Sequence, residues 1–222
     1  MRRIRDCPFA DDVLYDTEKG VWVRQEGALA AVGIDAVSAW LSGAFTSVSF
    51  KEEGTVVERG AGLGSTESAR HFDIVRSPLT CTIVESNELL KERPKLLNQD
   101  PYGEGWFVKV RPTKFREESG ELGNIEVARE AIARRVAEMN VRCFAAFPDF
   151  ELYEIGSECS AVLPKLDDLL GRSPAGTVVH LVSDDMAADV ELVAWSERTG
   201  HEVLETRKGG SLTHFIIIGR TS

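Results

Sequence analysis

The sequence predicts two domains of different architecture, a mainly β domain followed by an α+β two-layer sandwich. The first observation is length, because 222 residues exceed one small module and suit two domains. The second is that residues 13–110 consist mostly of short apolar runs broken by turn residues, which is typical of strands. The third is that helical and strand patterns alternate after residue 124.

In the first domain, apolar runs of three to five residues predict the strands, and two polar-apolar stretches predict short helices. The strand runs include residues 21–23, 28–32, 47–50 and 107–110. The helices are expected at Ala36 to Ser42 and at Asn87 to Asn98, with Asn87 as an N-cap. The elements end before residue 113, so we assign residues 1–112 to this domain.

A charged stretch without periodicity separates the two halves. Residues 114–123 combine Lys, Arg and Glu with two glycines, which is the composition of a linker. We therefore assign residues 113–123 to a linker and residues 124–222 to the second domain.

The second domain is expected to begin with an amphipathic helix that Asn124 caps. Its apolar positions recur at spacings of three and four residues and are Ile125, Ala128, Ile132, Val136 and Met139. The following pattern predicts strands at 143–147 and 151–155, a helix at 161–170, a strand at 178–182, a helix at 187–199 and a hairpin of 201–207 with 213–219. Helices on one sheet make an α+β sandwich.

Composition excludes several functional classes. A net charge of -10 opposes a nucleic-acid partner. No apolar stretch is long enough to span a bilayer and the N-terminus lacks a signal core, so we expect no membrane partner and a cytoplasmic location.

The cysteines suggest neither a metal site nor a disulfide framework. Four scattered cysteines without CxxC spacing disfavour both. Cys81 and Cys143 lie in apolar runs and are expected to be buried small side chains, whereas Cys7 is expected to be exposed. Asp184 and Asp185, between a strand and a helix, are interpreted as capping residues.

Three stretches of the first half resemble the H-protein of the glycine cleavage system. They are Tyr15 to Arg24, Ala31 to Ile34 and, most specifically, Leu96 to Trp106 with its Asn-Gln-Asp-Pro-Tyr-Gly-Glu-Gly-Trp ending. The resemblance implies a lipoyl-domain-like β fold of the barrel-sandwich hybrid type. It also implies a Glu-Ser-x-Lys hairpin tip whose lysine carries lipoate.

In this sequence the tip reads Glu67-Ser68-Ala69-Arg70, followed by the expected proline at Pro78. Arg70 thus occupies the lipoyl-lysine position, and a guanidinium, which stays protonated, does not form the amide. We expect no covalent cofactor. The neighbouring lysines fall in other predicted elements and do not replace it; they are Lys19, Lys51, Lys91 and Lys95.

Two interpretations of this tip stay open. In one, the domain keeps the surface that docks partner enzymes, and Arg70 with His71 offers a cation for an anionic group. In the other, Arg70 is a solvated hairpin charge on a module that has lost its function.

Residues 150–219 resemble the small sulfur carriers of the TusA/SirA-like family. The resemblance rests on Gly176 to Asp185, on Thr199 to Glu205 and on Glu154-Ile155-Gly156-Ser157-Glu158-Cys159. It places Cys159 at the sulfur-bearing position, where a helix N-terminus stabilises a thiolate. Ser160 and Val162 replace the two prolines of the family motif, and Pro164 predicts a helix start after Ser160.

These resemblances lead to one functional hypothesis and two alternatives. The hypothesis is sulfur transfer, with Cys159 as a persulfide-carrying catalytic residue and the first domain docking protein partners, as a possible sulfurtransferase. The first alternative is a non-catalytic adaptor or regulator. The second is an H-protein homologue with an atypical lipoyl site.

Overall fold

The computed structural model describes residues 1–220, which divide into two compact units, residues 1–143 and the residues from Phe144 onward. Within the described residues, no helix combines the length and the apolarity needed to cross a bilayer. The strands of the first unit are β1 Arg2–Ile4, β2 Cys7–Phe9, β3 Leu14–Asp16, β4 Val21–Glu26, β5 Leu29–Ile34, β6 Phe45–Phe50, β7 Val56–Val57, β8 Gly62–Ser68, β9 Phe72–Arg76, β10 Cys81–Ser86 and β11 Trp106–Pro112.

The helices of the first unit are short except for the last one. They are α1 Ala36–Ser42, α2 Leu89–Glu92, α3 Leu96–Gln99, α4 Phe115–Glu118 and α5 Ile125–Glu138, with a 3-10 turn at Ser119–Glu121. The predicted helix at residues 36–42 is confirmed. The one predicted at 87–98 is two helices, because Pro94 between them supplies no backbone N–H.

Two antiparallel sheets of the first unit enclose its main core, and this half is a β-sandwich as the sequence predicted. The larger sheet has the order β3-β4-β5-β11-β10-β7, and the smaller has the order β6-β8-β9. Buried side chains of both sheets form one cluster, which includes Val21, Val23, Val32, Phe45, Leu63, Val75, Phe107 and Val110.

A second core lies on the opposite face of the larger sheet. Successive side chains of a strand point to opposite faces, so Val21 and Val23 enter the first core and Trp22 enters the second. There the Trp22 indole N–H donates to the carbonyl of Pro101 at 3.0 Å. This core is closed by α1, the β1–β2 hairpin and α5.

Helix α5 belongs to the first unit, whereas the sequence placed it at the start of the second domain. Four of its five predicted apolar positions are buried against Trp22 and α1; they are Ile125, Ala128, Ile132 and Val136. The fifth, Met139, follows the helix as its C-cap and is exposed, so its prediction was wrong. The predicted cap is confirmed, because the Asn124 side chain accepts hydrogen bonds from the N–H groups of Glu126 and Val127. The compact units separate at residues 143 and 144.

The predicted linker is also structured and attached to the first unit. The Glu118 carboxylate accepts hydrogen bonds from the backbone N–H and the hydroxyl of Thr80, both at 2.6 Å. Gly123 pairs with Tyr15 in an isolated antiparallel bridge. The charged and glycine residues of this segment make contacts with the first unit. Composition alone does not distinguish such an attached loop from a linker.

Cys7 and Cys143 form a disulfide, which corrects the expectation of an exposed Cys7 and an unpaired Cys143. Both residues are fully buried in the second core, and no strand forms at residues 143–147. The expectation failed because the partners are 136 residues apart and meet only once α5 has packed. Disulfides are rare in reducing compartments, so this bond weakens the argument for a cytoplasmic location. That location stays a prediction.

From residue 150 onward, the second unit has the predicted element order. Its elements are β12 Phe150–Glu154, α6 Cys159–Arg172, β13 Val178–Ser183, α7 Ala188–Thr199, β14 Glu202–Gly209 and β15 Leu212–Ile218. The sheet order is β12-β13-β15-β14, with β12 and β13 parallel and the other pairs antiparallel. Both helices pack on one face of this sheet through a cluster that includes Leu166, Leu192, Trp195, Val179, Leu181 and Phe215.

The other face of this sheet carries a buried histidine pair that the sequence did not indicate. His180 Nε2 and His214 Nδ1 are 3.0 Å apart, and the two rings stack. The ring of Phe144 lies against both histidines, and the guanidinium of Arg207 lies over Phe144. Burial and the neighbouring His214 lower the pKa of His180, although Glu151 acts in the opposite direction.

We expect this pair to make the second unit less stable in mild acid. The pKa of His180 in the folded chain lies below 6.5. As the pH falls below 6.5, the unfolded chain therefore binds a proton at His180 more readily than the folded chain does, and this favours unfolding. The free energy of unfolding, measured by urea denaturation, should therefore fall more between about pH 7.5 and about pH 5.5 in the wild type than in His180→Phe. His71→Gln, which changes an exposed histidine, should behave as the wild type; equal pH dependence in all three proteins would contradict the interpretation.

Candidate functional site

The first candidate site is the apex of the β8–β9 hairpin, formed by Ala69, Arg70 and His71. The hairpin is closed by a hydrogen bond from the Ser68 N–H to the His71 carbonyl at 2.8 Å. The Ser68 hydroxyl also accepts hydrogen bonds from the N–H groups of Arg70 (3.2 Å) and His71 (3.0 Å). One serine therefore fixes the backbone of the whole apex.

Helix α1 holds this apex from behind. The Ser68 hydroxyl donates to the carbonyl of Ser42, the last residue of α1, at 2.7 Å. The Arg70 side chain lies along Gly43, where an added Cβ would sit 3.7 Å from Arg70 Cδ. Gly43 has φ +74°, so a side chain there would strain the backbone, while its Cβ would make only an ordinary van der Waals contact with the arginine. The carbonyl end of a helix attracts a nearby cation, so the end of α1 stabilises the guanidinium of Arg70 in this position.

The position of α1 is fixed at its other end by a buried ion pair. The Asp35 carboxylate caps α1 by accepting from the Ser38 N–H at 2.8 Å. Its second oxygen accepts from Arg135 of α5 at 2.6 Å, and Arg135 also donates to the Ser38 hydroxyl. Asp35 is fully buried, so the charge of Arg135 is needed there.

Asn98, a residue of the Leu96 to Trp106 motif, locks the carbonyl end of α1. Its amide donates to the carbonyls of Ala39 and Gly43 and accepts from the N–H of Phe45. The sequence quoted Asn98 as part of a resemblance but assigned it no role. The structure shows that it connects α1 to the strand β6 that precedes the hairpin.

The surface beside Arg70 is apolar as well as cationic. Phe72 follows the apex and is 70% exposed, and Ile74 continues the same face of the edge strand β9. Lys19, Lys51, Lys91 and Lys95 all lie outside the hairpin, as the sequence predicted. The apex therefore carries a permanent cation two residues before an exposed aromatic ring.

The second candidate site is Cys159, which is the first residue of α6. The helix therefore begins two residues earlier than Pro164 had suggested, with the proline inside it. The side chain lies in the core of the second unit and is 1% exposed. Its sulfur is not available to solvent in this arrangement.

The surroundings of Cys159 favour the thiol over the thiolate. Its backbone N–H already donates to the Asp185 carboxylate at 2.7 Å. Burial raises the pKa of the Cys159 thiol to about 12, and the carboxylates of Glu191 and Asp185 contribute to the rise. The helix N-terminus was expected to lower this pKa, but burial and two acidic neighbours outweigh it.

Asp184 and Asp185 cap neighbouring loops, in agreement with their interpretation from the sequence. Asp184 accepts from the Gly156 N–H at 2.8 Å, and Asp185 accepts from the N–H groups of Ala187 and Cys159. The hydrogen bonds from these two N–H groups lower the pKa of Asp185, and the bond from Ala187 has the larger effect. The two aspartates therefore tie the α6 entry loop to the α7 entry loop.

Comparison with known proteins addresses the first unit. The model of the family "Glycine cleavage H-protein" matches residues 13–135. The glycine cleavage system H protein 5 of Aquifex aeolicus is 32% identical over 147 residues, which cover 64% of this chain and 99% of that protein. The H protein of Synechocystis is 37% identical over 122 residues, 54% of this chain and 85% of that protein. A crystal structure of the Mycobacterium marinum H protein aligns with a TM-score of 0.49 and 25% identity, covering 60% of this chain and all of that one.

The matched residues 13–135 contain both sheets, the hairpin apex and most of α5, and they make up more than half of the sequence. The resemblance of the first half that the sequence indicated is thus confirmed, whereas that of the second half to sulfur carriers stays a prediction. By its sequence match and its relatives, the chain belongs to the glycine cleavage H-protein family.

Proposed function

We propose that this chain is an H-protein homologue that carries no lipoyl group and acts as an adaptor, docking a partner enzyme through the hairpin face. The observation that carries the proposal is Arg70 at the apex. The register from Glu67 to Pro78 assigns to Arg70 the position where the resemblance expects the lipoyl lysine. An arginine there retains the charge but cannot be acylated.

The docking half of the proposal rests on the family and on the apex surface. Membership of the H-protein family implies docking onto partner enzymes, and the relatives matched here are named as components of a glycine cleavage system. Ser68 bonds the apex to α1, and Asp35 and Asn98 hold α1 in turn. A cation at this apex, two residues before the exposed Phe72, suits an anionic pocket on the partner.

We expect lipoylation only after a single substitution at the apex. On incubation with a lipoate ligase, lipoate and ATP, the wild-type chain should keep its intact mass, whereas Arg70→Lys should gain one lipoyl adduct because a lysine ε-amine can be acylated. Arg76→Lys, the same change at an exposed arginine at the base of the same hairpin, should gain none. An adduct on the wild-type chain, or an unmodified Arg70→Lys, would contradict the assignment.

The docking half has its own test, because an unlipoylated adaptor should compete with a working H-protein. Excess wild-type chain should lower the rate of a reconstituted glycine cleavage system by competing with its lipoylated H-protein. Phe72→Glu should inhibit much less, since it puts a charge into the apolar part of the contact. Val56→Glu is the matched control, because Val56 is 69% exposed on another strand and should inhibit as the wild type does. Inhibition that is absent, or equal for Phe72→Glu and Val56→Glu, rules out docking through this face.

Sulfur transfer at Cys159 is the second candidate. The observation that favours it is the place of Cys159 at the first residue of α6, as the resemblance to sulfur carriers requires. Cys159 is buried and the pKa of its thiol is raised, so sulfur transfer is less well supported than the adaptor function.

We expect Cys159 to gain no sulfur in the folded protein. After incubation with a cysteine desulfurase and cysteine, mass spectrometry should find no additional sulfur atom on Cys159, because the protonated and buried thiol is a poor nucleophile. Unfolding in urea should make the same residue reactive towards iodoacetamide. One sulfur atom gained by the native protein and lost in Cys159→Ser would restore the sulfur-carrier hypothesis.

A further inference from the structure

Helix α7 is apolar on two opposite sides. One side packs into the core of the second unit through Ala188, Leu192 and Trp195. The other side presents Val190 and Val193, and Met186 lies in the turn before the helix; all three are exposed. We call Met186, Val190 and Val193 the α7 stripe.

The spacing of the α7 stripe distinguishes it from ordinary surface residues. Single exposed apolar side chains are normal and need no explanation, as for Val127 on α5. Val190 and Val193 are three residues apart within α7, which places them on the same side of the helix, and Met186 lies in the turn that leads into it. This is the spacing with which one helix contacts another.

Acidic residues outnumber basic ones in and next to α7. Asp184 and Asp185 precede the helix, and α7 itself carries Asp189, Glu191 and Glu197 with one basic residue, Arg198. Of these, Asp189 pairs with Lys208 at 3.3 Å and Glu191 lies by Cys159. The sequence from Phe144 onward has thirteen acidic and six basic residues, so it contributes -7 of the total net charge of -10. A partner that covers the stripe must therefore bring positive charge.

We propose that the α7 stripe is a docking surface for a protein partner that presents a basic amphipathic helix. The apolar side of that helix would pack on Val190 and its two neighbours, and its Lys and Arg residues would face the acidic residues in and next to α7. A second copy of this chain is disfavoured as the occupant, because it would bring another unit of charge -7. An anionic membrane is disfavoured for the same reason. This surface lies on the second unit and does not depend on the proposed function of the first.

The test uses a fluorescein-labelled synthetic helical peptide with leucines at i, i+4 and i+7 and flanking lysines, and binding to the full chain is followed by anisotropy. The wild type should bind it, and added salt should weaken the binding. Val190→Glu should weaken binding about tenfold, because it puts a charge into the apolar contact. This result would separate apolar docking from simple charge attraction, since the new carboxylate would strengthen the latter.

Val127→Glu is the matched control, because Val127 and Val190 are both valines in helices and both are 74% exposed. It should bind the peptide as the wild type does, and both variants should show the melting curve of the wild type. Equal binding by Val190→Glu and Val127→Glu would overturn the proposal, as would equal binding of a peptide with glutamates in place of the lysines. Self-association of the wild type in sedimentation, lost in Val190→Glu, would assign the stripe to a second copy. Binding to phosphatidylserine vesicles, lost in the same variant, would assign it to a membrane.

Discussion

The ion pair between Asp35 and Arg135 determines how the first unit presents its hairpin. It joins the start of α1 to α5, and the far end of α1 holds the apex through Ser42. A buried carboxylate without its cation is costly, so the pair fixes α5 and α1 together. The apex geometry thus depends on a helix that is distant from it in the sequence. The family match extends to residue 135 and includes this arginine.

Sequence patterns predicted the elements better than they predicted how the elements associate. The apolar run of β4 and the apolar periodicity of α5 gave the correct element types, because each depends on local geometry. The same periodicity says only that α5 has an apolar face, and not which core receives it. Trp22 supplies that core, and the pairing of Cys7 with Cys143 follows from the packing of α5 there. Neither contact leaves a local signal in the sequence.

The candidate sites show the same division between position and environment. The register of a motif was enough to place Arg70 at a hairpin apex and Cys159 at a helix start. The ionisation of Cys159 depends on Glu191 and Asp185, which lie on other elements, and on burial in a core that forms only in the folded unit. Ser68 and Asn98 were visible within quoted motifs, but their hydrogen bonds to α1 required the tertiary structure.

The bond between Cys7 and Cys143 encloses the whole family-matched segment, residues 13–135, in one covalent ring. A pulling force applied between the N-terminus and the second unit would therefore pass through sulfur and bypass both sheets. While the ring is closed, tension cannot unravel the hairpin apex or separate α1 from α5. A thiol reductant would break the disulfide, and the same force would then act on the strands.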